Sequence, residues 1–234
     1  MPAASPTTTS LSIQPFASSV AGSRSNSYLI SGESDAILFD VFMLQSDALQ
    51  VADRIARSGK TLKNVMISHA HPDHFMGLDV ITEHFPDAQV VSTPNVFSDL
   101  KTDGPWMFSM LKAKLGLDGP RKLVVPEPLS GSVLALEGVN RQVLEFGEGE
   151  SKHNATIYIS ELESILSADL VYNQAHLYLQ ERHLESWLTR LDELEKFAKG
   201  RVSTIYPGHG QAAGLELIAQ TRVLLTRLRR CDKE

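Results

Sequence analysis

Val65-Met66-Ile67 is an apolar, β-rich run of the kind that forms a buried strand, and it leads without a break into Ser68-His69-Ala70-His71-Pro72-Asp73-His74. Four residues able to ligate a metal fall between His69 and His74. Pro72 cannot donate to a strand ladder, and it restricts His71 before it to extended backbone. The chain is therefore expected to leave its sheet here in a loop whose side chains fan out from one point. His69 and His71, two positions apart, can share one cation, while Asp73 and His74 point to a neighbouring one. A lone histidine in such a place reads as a surface residue. This density at a strand end reads as a metal site.

The rest of the composition narrows the donors. The single cysteine, Cys231, allows neither an internal disulfide framework nor a thiolate-rich site, so histidine and carboxylate are the strong ligands available. A formal charge of −6 argues against nucleic acid or anionic lipid as partners and leaves a small-molecule substrate as the expectation. No stretch reaches the roughly 20 apolar residues of a membrane-spanning helix. Met1–Ser10, rich in Ala, Ser, Thr and Pro, lacks the basic start and apolar run of a secretory signal. It reads as a short flexible tail before one domain over 11–234, in a cytoplasmic protein.

Short apolar runs bounded by turn residues predict strands at Tyr28–Ile30, Ala36–Phe39, Val65–Ile67, Gln89–Val91, Val133–Leu136, Val143–Phe146, Thr156–Ile159, Ile165–Leu166 and Ser203–Tyr206. Three stretches carry helical spacing. Ala48–Ala56 places Leu49, Ala52, Ile55 and Ala56 on one face, with Gly59 as the stop. Glu185–Lys199 carries Trp187, Leu188, Leu191, Leu194 and Ala198, and Leu215–Arg230 carries Leu217, Ile218, Val223, Leu224 and Leu228. Interleaved strands and helices, with hairpins suggested early, give a mixed α/β domain whose helices cover sheet.

The run His69-x-His71-x-Asp73-His74 resembles the H-x-H-x-D-H signature of the metallo-β-lactamase superfamily. The likeness continues in order through Gly149-Glu150, Ser167-Ala168-Asp169 and Pro207-Gly208-His209-Gly210, from about Ile13 to Gln211. It implies a four-layer αβ/βα sandwich, two sheets face to face with helices outside and the metal site at one edge. By the same resemblance His69 and His71 hold a first cation, Asp73, His74 and His209 a second, and Asp169 bridges the two.

Position 150 departs from the pattern, since the superfamily has histidine where this chain has Glu150. Aligning Thr156–Ile159 with the following strand puts Glu150 in that slot without a gap, so Glu150 is the expected ligand and His153 the alternative. A carboxylate there adds negative charge, raising the pKa of a bound water and favouring harder cations. Two divalent ions are expected, zinc first, with manganese or iron as alternatives.

Such a pair can share a hydroxide and present it to a carbonyl or phosphoryl centre. Asp73 is the catalytic candidate, orienting the nucleophile or carrying a proton to the leaving group. The sequence has no serine-hydrolase elbow, P-loop or dinucleotide fingerprint. The expected activity is hydrolysis of a small ester, thioester, lactone, amide or phosphoester. An iron-dependent oxidoreductase and a metal-poor binding protein are the rivals. Tyr172, Asn173 and His176 are placed near the mouth, Lys152 beside the metal loop as a carboxylate binder, and Phe97–Leu117, with Trp106, Met107, Phe108, Met110 and Leu111, as an apolar flap or an ordinary covering helix.

Overall fold

The computed structural model describes residues 11–231, so the tail expected at 1–10 lies outside the described residues. The chain opens with an antiparallel meander, β1 (Ser12–Ala17), β2 (Asn26–Ser31) and β3 (Asp35–Phe39). Strands β4 (Thr61–Ile67), β5 (Gln89–Ser92) and β6 (Glu127–Pro128) then add in parallel, completing a six-stranded sheet. Parallel addition needs crossovers. They are α1 (Gln45–Ser58), the short α2 (Pro72–Phe75) with α3 (Leu78–His84), and the long α4 (Pro94–Leu115).

A second sheet has the order β11-β10-β9-β8-β7. β7 (Val133–Leu136), β8 (Val139–Phe146), β9 (Asn154–Ile159) and β10 (Ser164–Tyr172) run antiparallel, and β11 (Thr204–His209) lies parallel to β10 after crossing over through α5 (Leu184–Ala198). α6 (Glu216–Cys231) closes the chain. One apolar cluster runs from α1 and α3 through the first sheet to the facing side of the second, joining Val51, Ile55, Ile37, Met66, Ile157 and Leu166. The other packs α5 and α6 on the second sheet's outer face through Trp187, Leu191, Ile205 and Leu217. This is the four-layer αβ/βα sandwich. Among the described residues no helix is long and apolar enough to cross a membrane.

Two helical faces differ from the sequence reading. In α1 the buried stripe is Ala48, Val51, Ala52 and Ile55, whereas Leu49 and Ala56 are exposed. The i, i+3, i+4, i+7 set through Ala48 buries the β-branched Val51, which the set through Leu49 cannot. Gly59 does stop the helix, in the left-handed conformation with φ 70°. In α6 the inward residues are Leu217, Ile218, Thr221 and Leu225, while Val223 and Leu224 face solvent. A continuous Val223-Leu224-Leu225 run offers three registers, and only packing on β10 selects among them.

The sheets are clamped across their ends by Glu137, in the β7–β8 turn, which accepts backbone N–H bonds from Glu33, Ser34 and Asp35 at 3.0, 2.5 and 2.9 Å. Those bonds favour the ionised form and hold the Glu137 carboxyl at about 2, down from 4.5. A depressed carboxylate pKa contributes stability above the unfolded value and loses it as pH falls through the folded one. Glu137→Gln should therefore be less stable than wild type at neutral pH in urea unfolding. That difference should shrink as pH falls from 4.5 towards 2. A gap independent of pH would mean that the clamp is not ionic.

Candidate metal centre

The site forms where strands of both sheets end. Pro72 does more than stop β4: it sits at the first position of α2, where its fixed φ and missing N–H suit a helix start. Ser68–His71 is therefore a loop, and Asp73 and His74 lie on one helical turn rather than in continuing loop. The Ala155 N–H donates to the Ser68 carbonyl at 2.7 Å, tying this loop to β9 of the other sheet. Asn26 Nδ2 donates to the Pro207 and Gly210 carbonyls at 3.0 and 2.6 Å, tying the end of β11 to β2.

Asp40, which follows β3, organises the histidines. Its carboxylate accepts the Ser68 N–H at 2.8 Å, the Ser68 hydroxyl at 2.7 Å and His74 Nδ1 at 2.9 Å. With its hydroxyl proton given to Asp40, Ser68 Oγ must accept from His69 Nδ1, 2.8 Å away. Both imidazoles are thereby fixed with N–H at Nδ1 and the Nε2 lone pair turned into the site, the orientation a ligating histidine needs. The sequence reading missed Asp40, although it shares with Asp169 the available signal, a carboxylate just after an apolar run.

Two donor groups converge. His69, His71 and Glu150 offer atoms within 4.8 Å of one another, and so do Asp73, His74 and His209. Glu150 lies 3.5 Å from His69 Nε2 and 3.1 Å from His71 Nδ1. Asp169 lies 3.4 Å from His74 Nε2 and 3.3 Å from His209 Nε2. The His69 and His74 rings, 4.3 Å apart, join the two groups. Asp40 also falls within reach of His69 and His74, but its bonds to Ser68 and His74 already engage it. His153 stands elsewhere, its Nδ1 2.8 Å from Asp99 on α4. Lys152 is likewise engaged, 2.7 Å from Asp103, so the carboxylate expected to bind it is one of the chain's own.

Asp169 lies inside β10, and not at the strand end that the apolar run Ile165–Leu166 suggests, and it reaches the site through a defect in that strand. Ala168 has φ 46°, and the pairing with β11 shifts register on both sides of it. Leu166 and Ala168 face the inter-sheet core, yet Leu170, of the same parity, packs on the helix side. Such bulges re-aim side chains. Gly208 makes room: a Cβ there would lie 1.6 Å from Asp169 Oδ1. Tyr172 is stacked flat on His209 with ring centres 5.1 Å apart. Its hydroxyl donates to Asp169 Oδ2 at 2.5 Å and lies 3.3 Å from Glu150 Oε1. Asn173 and His176 line the cavity in front, of about 1060 Å³, as do Leu111 and Leu115 of α4, while Trp106 is exposed.

Electrostatics test whether a cation fits. Burial pushes Glu150 up to about 7 against the pull of His71. Burial also pushes Asp169 up, but His209 and His74 outweigh it and hold the carboxyl well below its usual range. Burial and the neighbouring imidazoles lower His69, whereas Asp169, Asp73 and Asp40 overcome burial and raise His74. The carboxylates thus demand positive charge at this point. Four buried atoms, His69 Nε2, His74 Nε2, Glu150 Oε2 and Asp169 Oδ1, have no hydrogen-bond partner among the described residues. Unpartnered buried polar atoms are costly, and metal coordination removes that cost. The donor set fits divalent cations.

The sequence profile of the metallo-beta-lactamase superfamily matches residues 20–209. The chain belongs to this superfamily. Solved members share its fold at low identity. VMB-1, in crystals at pH 5.5, is 15% identical with a TM-score of 0.71, covering 88% of this chain and 86% of its own. DIM-1 metallo-beta-lactamase is 17% identical with a TM-score of 0.70, covering 87% of each chain. The metallo-beta-lactamase from Pontibacter korlensis is 17% identical with a TM-score of 0.68, covering 92% of this chain and 99% of its own. Uncharacterized protein YobT of Bacillus subtilis (strain 168) is 32% identical over 66 residues, a segment spanning 28% of each protein.

Gly208→Ala should displace Asp169 and lower bound metal, measured by elemental analysis, while circular dichroism stays native. Asp40→Asn should weaken metal binding about 10- to 100-fold in chelator competition, the usual cost of losing a group that orients a ligand. Wild-type metal content and affinity in both variants would remove Asp169 and the Asp40–His74 pair from the site.

Proposed function

We propose that this chain is a metal-dependent hydrolase acting on a small ester, thioester, lactone, amide or phosphoester through a pair of cation sites. The observation that carries this reading is the set of four unpartnered buried atoms, on His69, His74, Glu150 and Asp169, gathered at the two donor groups behind a cavity that Glu150 and Asp169 line. His69, His71 and Glu150 would hold one cation and Asp73, His74 and His209 the other, with Asp169 turned towards the second group. Divalent cations bound there supply Lewis-acid polarisation of the scissile carbonyl or phosphoryl group and acidify water.

The side chains divide the remaining work. Asp73 is the one carboxylate of the two groups that is only partly buried, and it lines the cavity. It can orient the attacking water, accept its proton and return that proton to the leaving group. Tyr172 holds Asp169 by donating to Oδ2, which leaves Oδ1 directed at His74. Tyr178, edge-on to His71 with ring centres 4.8 Å apart, covers that imidazole on the cavity side. β-Lactam hydrolysis does not follow from the solved relatives, because a likeness at 15–17% identity shows the fold alone.

Glu150 supports a second reading. A carboxylate beside His69 and His71 adds an anionic oxygen donor, which suits manganese or iron better than a third imidazole would. An iron-loaded oxidoreductase is therefore the rival to a zinc hydrolase. Elemental analysis of protein grown with and without added iron, alongside a screen of esters, thioesters, lactones and phosphodiesters, separates them. Turnover tracking zinc or manganese supports the hydrolase, and iron content without turnover of any ester class overturns it.

Position 150 gives a sharper test. Glu150→Gln should lose one cation, Glu150→His should regain it with a shift towards zinc, and His153→Ala should keep full metal content. Loss of a cation in His153→Ala, with Glu150→Gln intact, would refute the assignment.

A further inference from the structure

The cavity in front of the donor groups has a second chemical feature. Apart from the residues of those groups and Asp169, the charged side chains lining it are Arg24 and Lys114, both cationic, in a chain of net charge −6. Several basic side chains outside this cavity are taken up by ion pairs. Lys152, Arg121, Arg141, Arg222 and Arg229 each lie within 3.0 Å of a carboxylate. Arg24 and Lys114 form no such pair among the described residues, and both are exposed to the cavity's solvent.

Arg24 is held in place at a conformational cost. Ser23 and Arg24 have φ 72° and 54°, a region that glycine or asparagine enters more cheaply. The turn that imposes it is pinned on both sides. Asp47 accepts from the Ser19 N–H and hydroxyl at 3.1 and 2.9 Å, and the Arg24 N–H donates to the Ser19 carbonyl at 3.1 Å. Ser25, the next residue, pairs with His209 and donates its hydroxyl to the Asp73 carbonyl at 3.0 Å. Arg24 is thus built directly onto the backbone that carries the metal-site residues. Strained non-glycine residues persist where the surroundings over-determine them, typically at ligand sites.

Lys114 comes from the last turn of α4, beside Leu111 and Leu115 on the cavity wall. Lys112, on the same turn, lies over the Phe108 ring at 5.3 Å instead. Met43 and Leu177 add to the apolar lining. A neutral apolar substrate would leave both cations without a partner on the ligand. A substrate with an anionic end would pair with them.

We infer that the hydrolase substrate carries a carboxylate or phosphate group on an apolar body, and that Arg24 and Lys114 are the specificity-determining residues that hold this anion away from the scissile bond. The inference rests on the hydrolase reading for its turnover assay, and a binding assay makes the two separable. Metal-loaded wild type, Arg24→Gln, Lys114→Gln and the double variant are compared on 4-nitrophenyl butyrate and mono-4-nitrophenyl glutarate, which share a leaving group. Wild type should favour the anionic ester at least about tenfold in kcat/KM, mainly through KM. Each substitution should cut that ratio by about tenfold, the scale of one charged hydrogen bond. Arg24→Lys and Lys114→Arg should keep most of it.

In parallel, calorimetry measures binding of 5-phenylpentanoate, 4-phenylbutylphosphonate and neutral 5-phenylpentanamide. A preference for either anion that disappears in the double variant supports the subsite, and the better anion names its source as carboxylate or phosphate. If that preference appears while no ester is turned over, the hydrolase reading fails and the anion site stands. Equal affinity for all three ligands overturns the inference. So does an anion preference that survives in the double variant, because the anion would then be sitting on the metals.

Discussion

Glu150 and Asp169 are buried carboxylates set among imidazoles, and the rest of the centre follows from the need to neutralise them. A lone ionised carboxylate in a protein interior is prohibitively costly. Here the opposing groups are His71 beside Glu150, and His74 and His209 beside Asp169. Without a metal, protons on the imidazoles supply the positive charge, which is why His74 is raised so far. With a metal bound, those protons leave and the same geometry serves coordination, so metal affinity and pH are linked at this centre.

That demand explains features that are otherwise odd for a sandwich of two sheets. Ala168 accepts a left-handed conformation inside a strand whose nine residues are all buried, and the irregularity turns Asp169 towards the histidines. Gly208 stands where any side chain would collide with that carboxylate. Asp40 uses its lone pairs on Ser68 and His74 to fix two imidazoles that sit on different elements. Each departure from regular structure serves the placement of a metal-site side chain. The helices and the inter-sheet core remain ordinary.

Glu150 distinguishes this chain chemically from a site with histidine in that slot. It brings an extra negative charge and an oxygen donor next to His69 and His71, lowering the net positive charge of a loaded centre. The cavity's own cations, Arg24 and Lys114, lie on the wall and outside the two donor groups. The molecule therefore separates a chemical centre of reduced positive charge from a recognition wall of fixed positive charge.

The sequence by itself determined what local spacing can encode. A strand running into His69–His74, an Asp169 just after an apolar run and a Pro207-Gly208-His209 turn each announce donors within one element, and together they gave the superfamily and its layered fold. Leu49, Val223 and Leu224 show the limit of that reading, because an apolar residue one position off a stripe looks the same until packing on β10 or against α3 chooses the face. The centre depends still more on assembly. Glu150 and His153 are three residues apart in one loop, and only the docking of β9 on the Ser68 loop puts Glu150 beside His69 and His71 while α4 takes His153 through Asp99. Asp40 and Asp169 carry the same signal, a carboxylate just after an apolar run, and differ in what they meet. Which buried carboxylate orients a histidine, and which one faces the open donor group, is set by contacts between sheets far apart in the chain, and no local pattern records those.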